Sequence, residues 1–200
     1  MKKLELKDNS TALCIVAHPD DETIWMGGTM ARYKNLDWTI FVLCRESDPD
    51  RMPKFKRVAK DYFGAEGIIC DLEDDGIMKA RESVPEIKKI IKKRLKKRKF
   101  DYIFTHASWG EYGHVRHKGV HQGVKELLRE GIINAPEIFY FSYKLDEEKK
   151  IAVPKEGSPI QLEISAKELQ AKRNVIKEWY GFRPSSFENR SCNKIETFRK

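Results

Sequence analysis

Short apolar runs rich in β-branched residues alternate with longer segments whose apolar residues recur at three- and four-residue steps, and this alternation leaves few architectures open. A strand covered on both faces reads as a continuous apolar run, whereas a helix lying on a sheet shows one apolar stripe. The strand candidates are Thr11 to Ala17, Trp38 to Cys44, Gly67 to Asp71, Tyr102 to His106 and Glu137 to Ser142, with a weaker one at Ile160 to Ile164. The helix candidates between them are Thr23 to Lys34, Lys54 to Phe63, Val84 to Lys97, Val115 to Arg129 and Ala166 to Tyr180. Repeated βα units of this kind predict an α/β fold, a single Rossmann-like domain with a mostly parallel sheet flanked by helices. Gly64 and Gly131 stand where the second and fourth helices end, the position that favours a left-handed residue. The stretch from 144 to 159 is charged and then broken by Pro154 and Gly157-Ser158-Pro159, and reads as an excursion rather than a linker.

At 200 residues the chain suits one domain spanning 1–200 with a sizeable core. No apolar run reaches the roughly 18 residues of a membrane helix, and the first residues lack the apolar stretch of a secretory leader, so the expected compartment is the cytoplasm. The four cysteines, Cys14, Cys44, Cys70 and Cys192, form no C-x-x-C pair and read as core thiols. A formal charge of +8 invites a nucleic-acid or anionic-surface partner. Much of it comes from the segment between Lys88 and Lys99, where Ile87, Ile90, Ile91 and Leu95 keep helical spacing and leave the lysines as a wet face. No nucleic-acid-binding motif accompanies that charge, and nucleic acid is not an expected partner.

Two clusters carry the chemistry. The first strand runs into Ala17-His18-Pro19-Asp20-Asp21-Glu22, which crowds an imidazole and three carboxylates into one strand-to-helix turn. Adjacent carboxylates repel unless a cation or hydrogen-bond donors compensate, and in an open α/β sheet this turn lies at the ligand-binding edge. The second cluster, Thr105 to His117, also follows a strand, and His106, His114, His117 and His121 account for four of the five histidines. Helical spacing from Gly113 onward puts His114, His117 and His121 along one face. Imidazole and carboxylate donors suit zinc, whose catalytic sites keep one position open, and they also suit iron, cobalt or nickel. Each cluster has an ordinary alternative: an aspartate N-cap with dipole-favoured acids for the first, and partly buried helix histidines for the second. Their joint occurrence after two strands of one sheet favours the metal reading.

These two motifs resemble those of the LmbE-like or PIG-L-like N-acetylglucosaminyl deacetylases: Ala17 to Glu22 matches the family's Ala-His-Pro-Asp-Asp-Glu in full, and Gly113, His114 and His117 match its Gly-His-x-x-His. Weaker echoes are Gly27-Gly28, Asp75-Gly76 and the closing Glu196-Thr197-Phe198, read as a final strand. The resemblance implies that His18, Asp21 and His117 hold zinc, for which the donor set also admits another divalent transition metal such as Fe2+, that Asp20 is the general base, and that His114 stabilises the oxyanion or protonates the leaving amine. It implies an amino-sugar substrate, free or in a glycoconjugate, and it is compatible with a homo-oligomer. Further substrate contacts are assigned to Asp75, Arg45, Arg51, Tyr112 and Arg116, with Trp109 as a second aromatic candidate. For Asp75 the alternative is a turn aspartate, and for Arg116 a solvent-facing helix arginine. The chain departs from the family where Val115-Arg116 replaces the usual Pro-Asp, and where its Tyr-x-Ser-Gln pattern is represented only by Tyr180 to Arg183. The competing functions are a zinc hydrolase of another amide or ester and a non-catalytic sugar- or nucleotide-binding protein. Against the latter, neither G-x-G-x-x-G nor a P-loop occurs.

Overall fold

A computed structural model describes residues 2–200. The strands of its main sheet are β1 (Lys2–Lys3), β2 (Thr11–Val16), β3 (Asp37–Val42), β4 (Glu66–Ile69), β5 (Tyr102–Thr105), β6 (Glu137–Phe141), β9 (Ile160–Glu163) and β10 (Ile195–Arg199). They lie in the order β1-β9-β10-β6-β5-β2-β3-β4. From β4 to β6 every pairing is parallel, with Val16 opposite Val42 and Ile15 opposite Thr105. β10 then runs antiparallel to both β6 and β9. The mostly parallel α/β sheet expected from the alternation is therefore present, and each predicted strand lies within a residue or two of an observed one. The excursion holds structure of its own: β7 (Tyr143–Asp146) and β8 (Ile151–Pro154) form an antiparallel hairpin outside the main sheet.

β2 shows why both faces of the sheet are covered. Ala12, Cys14 and Val16 point into one core with Trp25, Phe55 and Val175, while Leu13, Ile15 and Ala17 point into another with Ile87, Ile91 and Val124. The first layer consists of α1 (Asp21–Arg32), α2 (Arg51–Arg57, continued by a π-helical turn at Val58–Tyr62) and α5 (Ala166–Asn174, continued likewise at Val175–Trp179). The second consists of α3 (Ala80–Arg94) and α4 (Val115–Arg129), and a single-turn helix, α6 (Phe187–Arg190), precedes the last strand. α3 begins a turn earlier than its apolar stripe predicts. Glu82 accepts from the Lys79 N–H at 2.7 Å there, and Pro85, in the second turn, forgoes one intrahelical bond. α3 and α4 pack closely because α4 presents glycine: a Cβ on Gly123 would meet Ile87 Cγ2 at 2.7 Å. All four cysteines are buried and unpaired. Among the described residues no helix is long and apolar enough to cross a membrane.

β2 pairs with β3 on one side and β5 on the other, and the connections that follow β2 and β5 lead to helices on opposite faces of the sheet, α1 and α4. Ligands of open α/β sheets bind at such a switch point, beyond the carboxyl ends of the strands. Both motif clusters follow these ends directly.

α1 is not one continuous helix. Met26 breaks it with φ −149° and ψ 20°. The N–H groups of Gly28 and Thr29 consequently donate to the Glu196 carboxylate at 2.8 and 2.7 Å, across 168 and 167 residues of sequence. Lys172 Nζ donates to the same carboxylate at 2.6 Å, and both charged side chains are essentially fully buried. Removing one member of a buried pair leaves the other charge without compensation, which costs about 3–5 kcal/mol. Glu196→Ala is expected to lose stability on that order in chemical denaturation, whereas Lys194→Ala, which breaks an exposed pair with Glu163, should hardly move the midpoint.

Candidate functional site

The β2–α1 turn is built to hold its carboxylates inward. Asp20 adopts φ 119°, a conformation that side chains other than glycine rarely take, and such strain persists only where the surroundings over-determine it. Glu22 supplies part of that constraint: its buried carboxylate accepts from the Asp20 N–H at 3.1 Å and from the Tyr180 hydroxyl at 2.8 Å. Asp21, also buried, accepts from the His18 N–H and from Trp25 Nε1, both at 2.8 Å.

The β5–α4 loop delivers the histidines through three left-handed residues, Gly110, Glu111 and Gly113, at φ 70°, 54° and 98°. Glu111 is fully buried and gathers donors. Its Oε2 lies 2.8 Å from His106 Nδ1 and 2.6 Å from His117 Nδ1, while Oε1 accepts from the Ala107 N–H at 2.8 Å. Burial would raise the Glu111 carboxyl, but the two histidines outweigh it and hold it down to about 2. His106 Nε2 accepts from the Ala17 N–H at 3.0 Å, so this ring carries its proton on Nδ1 and knits the two loops together. His117 has no such second partner. Its Nε2 is buried with no hydrogen bond and lies 3.4 Å from Asp21 Oδ1.

His18 mirrors this arrangement. Its Nε2 meets Asp74 Oδ1 at 3.0 Å and its Nδ1 faces Asp21 Oδ2 at 3.3 Å. Two imidazoles thus each rest one nitrogen on an outer carboxylate, Asp74 or Glu111, and turn the other toward Asp21. That is the arrangement by which metal-binding histidines are oriented. The orphaned Nε2 of His117 is the sharpest sign that the residues present fit a divalent cation, since a buried unpaired nitrogen is costly without one. Three overlapping sets of donor atoms lie within 4.8 Å of one another: His18, His114 and His117; Asp21, His106 and His117; and His18, Cys44 and Asp74.

A cavity of about 370 Å³ opens above these groups, lined by His18, Asp20, Asp21, Trp25, Arg45, Arg51, Asp74, Tyr112 and His114 among others. Asp20 is pushed well above the usual carboxylate range by burial and by Asp21, against the pull of Arg51 3.6 Å away. His114 caps α4, its Nδ1 accepting from the Arg116 N–H at 3.3 Å, which leaves the proton on Nε2. Burial and the neighbouring His117 and His18 lower its pKa to about 4.

Of the residues singled out in the sequence, Asp75 and Arg116 fall elsewhere. Asp75 is exposed, and it is Asp74 that turns into the cavity, bonded to Arg45 Nη2 at 2.7 Å. Arg116 is neither at the mouth nor in solvent. It is 2% exposed and donates to Glu73 at 2.8 Å and to the Met78 carbonyl at 2.7 Å, anchoring the loop that carries Asp74. His121 reaches the His106 carbonyl at 2.9 Å, and Trp109 bonds the Tyr143 carbonyl at 2.7 Å, away from the cavity. The sequence singled out neither Asp74 nor Trp25, and it placed Glu22 and Glu111 within the two motifs without giving either a role in the site. For Glu111 the flanking glycines signalled an unusual backbone, although nothing in the spacing showed an inward carboxylate.

The fold and this cluster together define an α/β protein with a metal-competent His/Asp site at the sheet's switch point. Residues 13–128 match the family described as PIG-L: GlcNAc-PI de-N-acetylase, and the chain belongs to that family. An uncharacterized protein, L374 of Acanthamoeba polyphaga mimivirus, is 24% identical over 147 residues, which cover 66% of this chain and 61% of that protein. Among solved structures, the A40926 pseudoaglycone deacetylase Dbv21 superposes with a TM-score of 0.61 at 16% identity, covering 86% of this chain and 82% of its own. The conserved protein TT1542 of Thermus thermophilus gives 0.61 at 17%, covering 94% and 93%. GalB, the 4-carboxy-2-hydroxymuconate hydratase of Pseudomonas putida KT2440, gives 0.55 at 14%, covering 86% and 82%. At these identities the likeness is one of fold.

Two outcomes follow for metal loading. Glu111→Gln should weaken divalent-metal affinity by about 10–100-fold in chelator competition, and an unchanged affinity would contradict the orienting role given to Glu111. Burial disfavours a charged His18, but hydrogen bonds to Asp21 and Asp74 prevail and raise its pKa to about 9. A metal must displace that proton, so apparent affinity should fall as pH drops below 9, with about one proton released per ion in calorimetry across buffers.

Proposed function

We propose that the chain is a zinc-dependent hydrolase that removes an acyl group, acetyl in the first instance, from the nitrogen of an amino sugar. The observation that carries this reading is His117, its Nδ1 fixed on Glu111 and its Nε2 buried without a partner beside Asp21 and His18. His18, Asp21 and His117 would hold the ion, and imidazole with carboxylate is a donor set that zinc favours. Bound there, zinc would acidify water and polarise the acyl carbonyl.

The remaining chemistry belongs to side chains. Asp20 lines the cavity and its basicity is raised by burial and by Asp21, which suits a carboxylate that accepts a proton from the attacking water. The same proton can then pass from Asp20 to the amine nitrogen as the C–N bond breaks, so the step balances without a further acid. His114, neutral near pH 7 and protonated on Nε2, suits a donor to the carbonyl oxygen as negative charge develops there. Its low pKa makes it a poor source of the amine's proton, and we assign it to the oxyanion. Tyr112 and Trp25 give the cavity apolar walls, while Arg45, Arg51 and Asp74 offer the polar contacts that sugar hydroxyls or an anionic substituent require.

Acetate release from a panel of N-acetylglucosamine derivatives is expected to vanish on chelation and to return with zinc. Asp20→Asn should lower turnover by about 10²–10⁴-fold without loss of bound metal. A protein that binds metal stoichiometrically yet releases no acetate from any derivative would remove the amino-sugar assignment and direct attention to other amides or esters.

A further inference from the structure

A second cavity, of about 560 Å³, lies between α5 with its π-helical extension and the segment around α6, outside the site described above. Its charged lining is wholly cationic: Arg173, Lys177 and Arg190, joined by the amides of Gln170, Asn174 and Asn189 and by no carboxylate. Several cations elsewhere on this molecule are paired with carboxylates. Lys88 sits between Glu126 and Glu130, and Arg94 grips Glu46 at 2.7 Å. Here the compensation is missing. Among the described residues neither Arg173 nor Arg190 forms an ion pair, and Lys177 reaches only Glu178, 2.8 Å away on the exposed side.

The Arg173 guanidinium is also undersatisfied. Arg173 Nη2 makes one long bond, 3.4 Å, to the Cys192 carbonyl, and its Nε is buried with no hydrogen-bond partner. Arg190 Nη2 donates to the Lys149 carbonyl at 2.8 Å, which steadies the side chain while its charge stays uncompensated. Asn189 is buried and donates to the Arg173 carbonyl at 2.9 Å, tying α6 to α5 and fixing the two arginine-bearing elements relative to each other.

Convergent like charges around a concave surface raise the local potential and attract counter-ions, and guanidinium groups favour phosphate oxygens because they offer paired N–H donors. We propose that this cavity is a binding site for a small phosphate-bearing anion, distinct from the metal-competent site. Consecutive residues of α6 serve the two cavities, Phe187 and Glu188 lining the first and Asn189 and Arg190 the second.

The test is calorimetric titration of the intact protein with inorganic pyrophosphate in a phosphate- and sulfate-free buffer. A Lys177→Ala/Arg190→Ala double variant is titrated beside an Arg45→Ala/Arg51→Ala double variant, because those two arginines line the other cavity. Saturable one-site binding that weakens by at least about tenfold in the first variant and persists in the second is the expected result, two lost charge-assisted contacts being worth that much. Thermal unfolding of the first variant should match the parent, since both altered side chains lie at the surface. Absence of saturable binding at millimolar pyrophosphate, loss confined to the second variant, or equal weakening in both would overturn the proposal.

Discussion

The Asp21 carboxylate is the charge around which this molecule is arranged. A carboxylate removed from water is expensive unless donors or cations surround it. Here the His18 N–H and the Trp25 indole donate to it, and the buried Nε2 of His117 faces it at 3.4 Å. Its own pKa is accordingly held well below the usual range, the histidines overriding burial. The Asp20 backbone strain and the left-handed run before α4 are the conformational cost of that convergence, and Glu22, Tyr180 and Glu111 are the groups that sustain it.

The architecture was legible from the sequence because its strands are buried on both sides, and continuous apolar runs announce that. The switch-point location of the site followed from two motifs placed after two strands. The outward limits of legibility are equally physical. A strand such as β10, whose Glu196 carries a buried charge, breaks the apolar pattern and is visible only as an echo of the family's last strand. Lys144 to Lys150 reads only as a charged excursion because a two-stranded hairpin needs only one apolar face. In Glu73-Asp74-Asp75 the composition cannot say which acid turns inward. Arg116 decides it by pulling the loop down through Glu73 and Met78, a contact between elements far apart in sequence.

Arg116 also ties the two motifs to each other. A buried guanidinium one residue before His117 binds the loop that supplies the outer carboxylate of His18, so the second-motif helix and the first-motif histidine are linked through Asp74. The solved structures of similar fold include a deacetylase and a hydratase, so the scaffold alone leaves the reaction open, and the chemistry must be read from such side-chain links.

The break in α1 makes one carboxylate a shared fastening for three elements. Two amides in the second half of the helix and the Lys172 ammonium of α5 all end on Glu196 of the last strand. A single side chain of β10 therefore fixes where the far half of α1 lies against the sheet, in the same helix whose first turn carries Asp21.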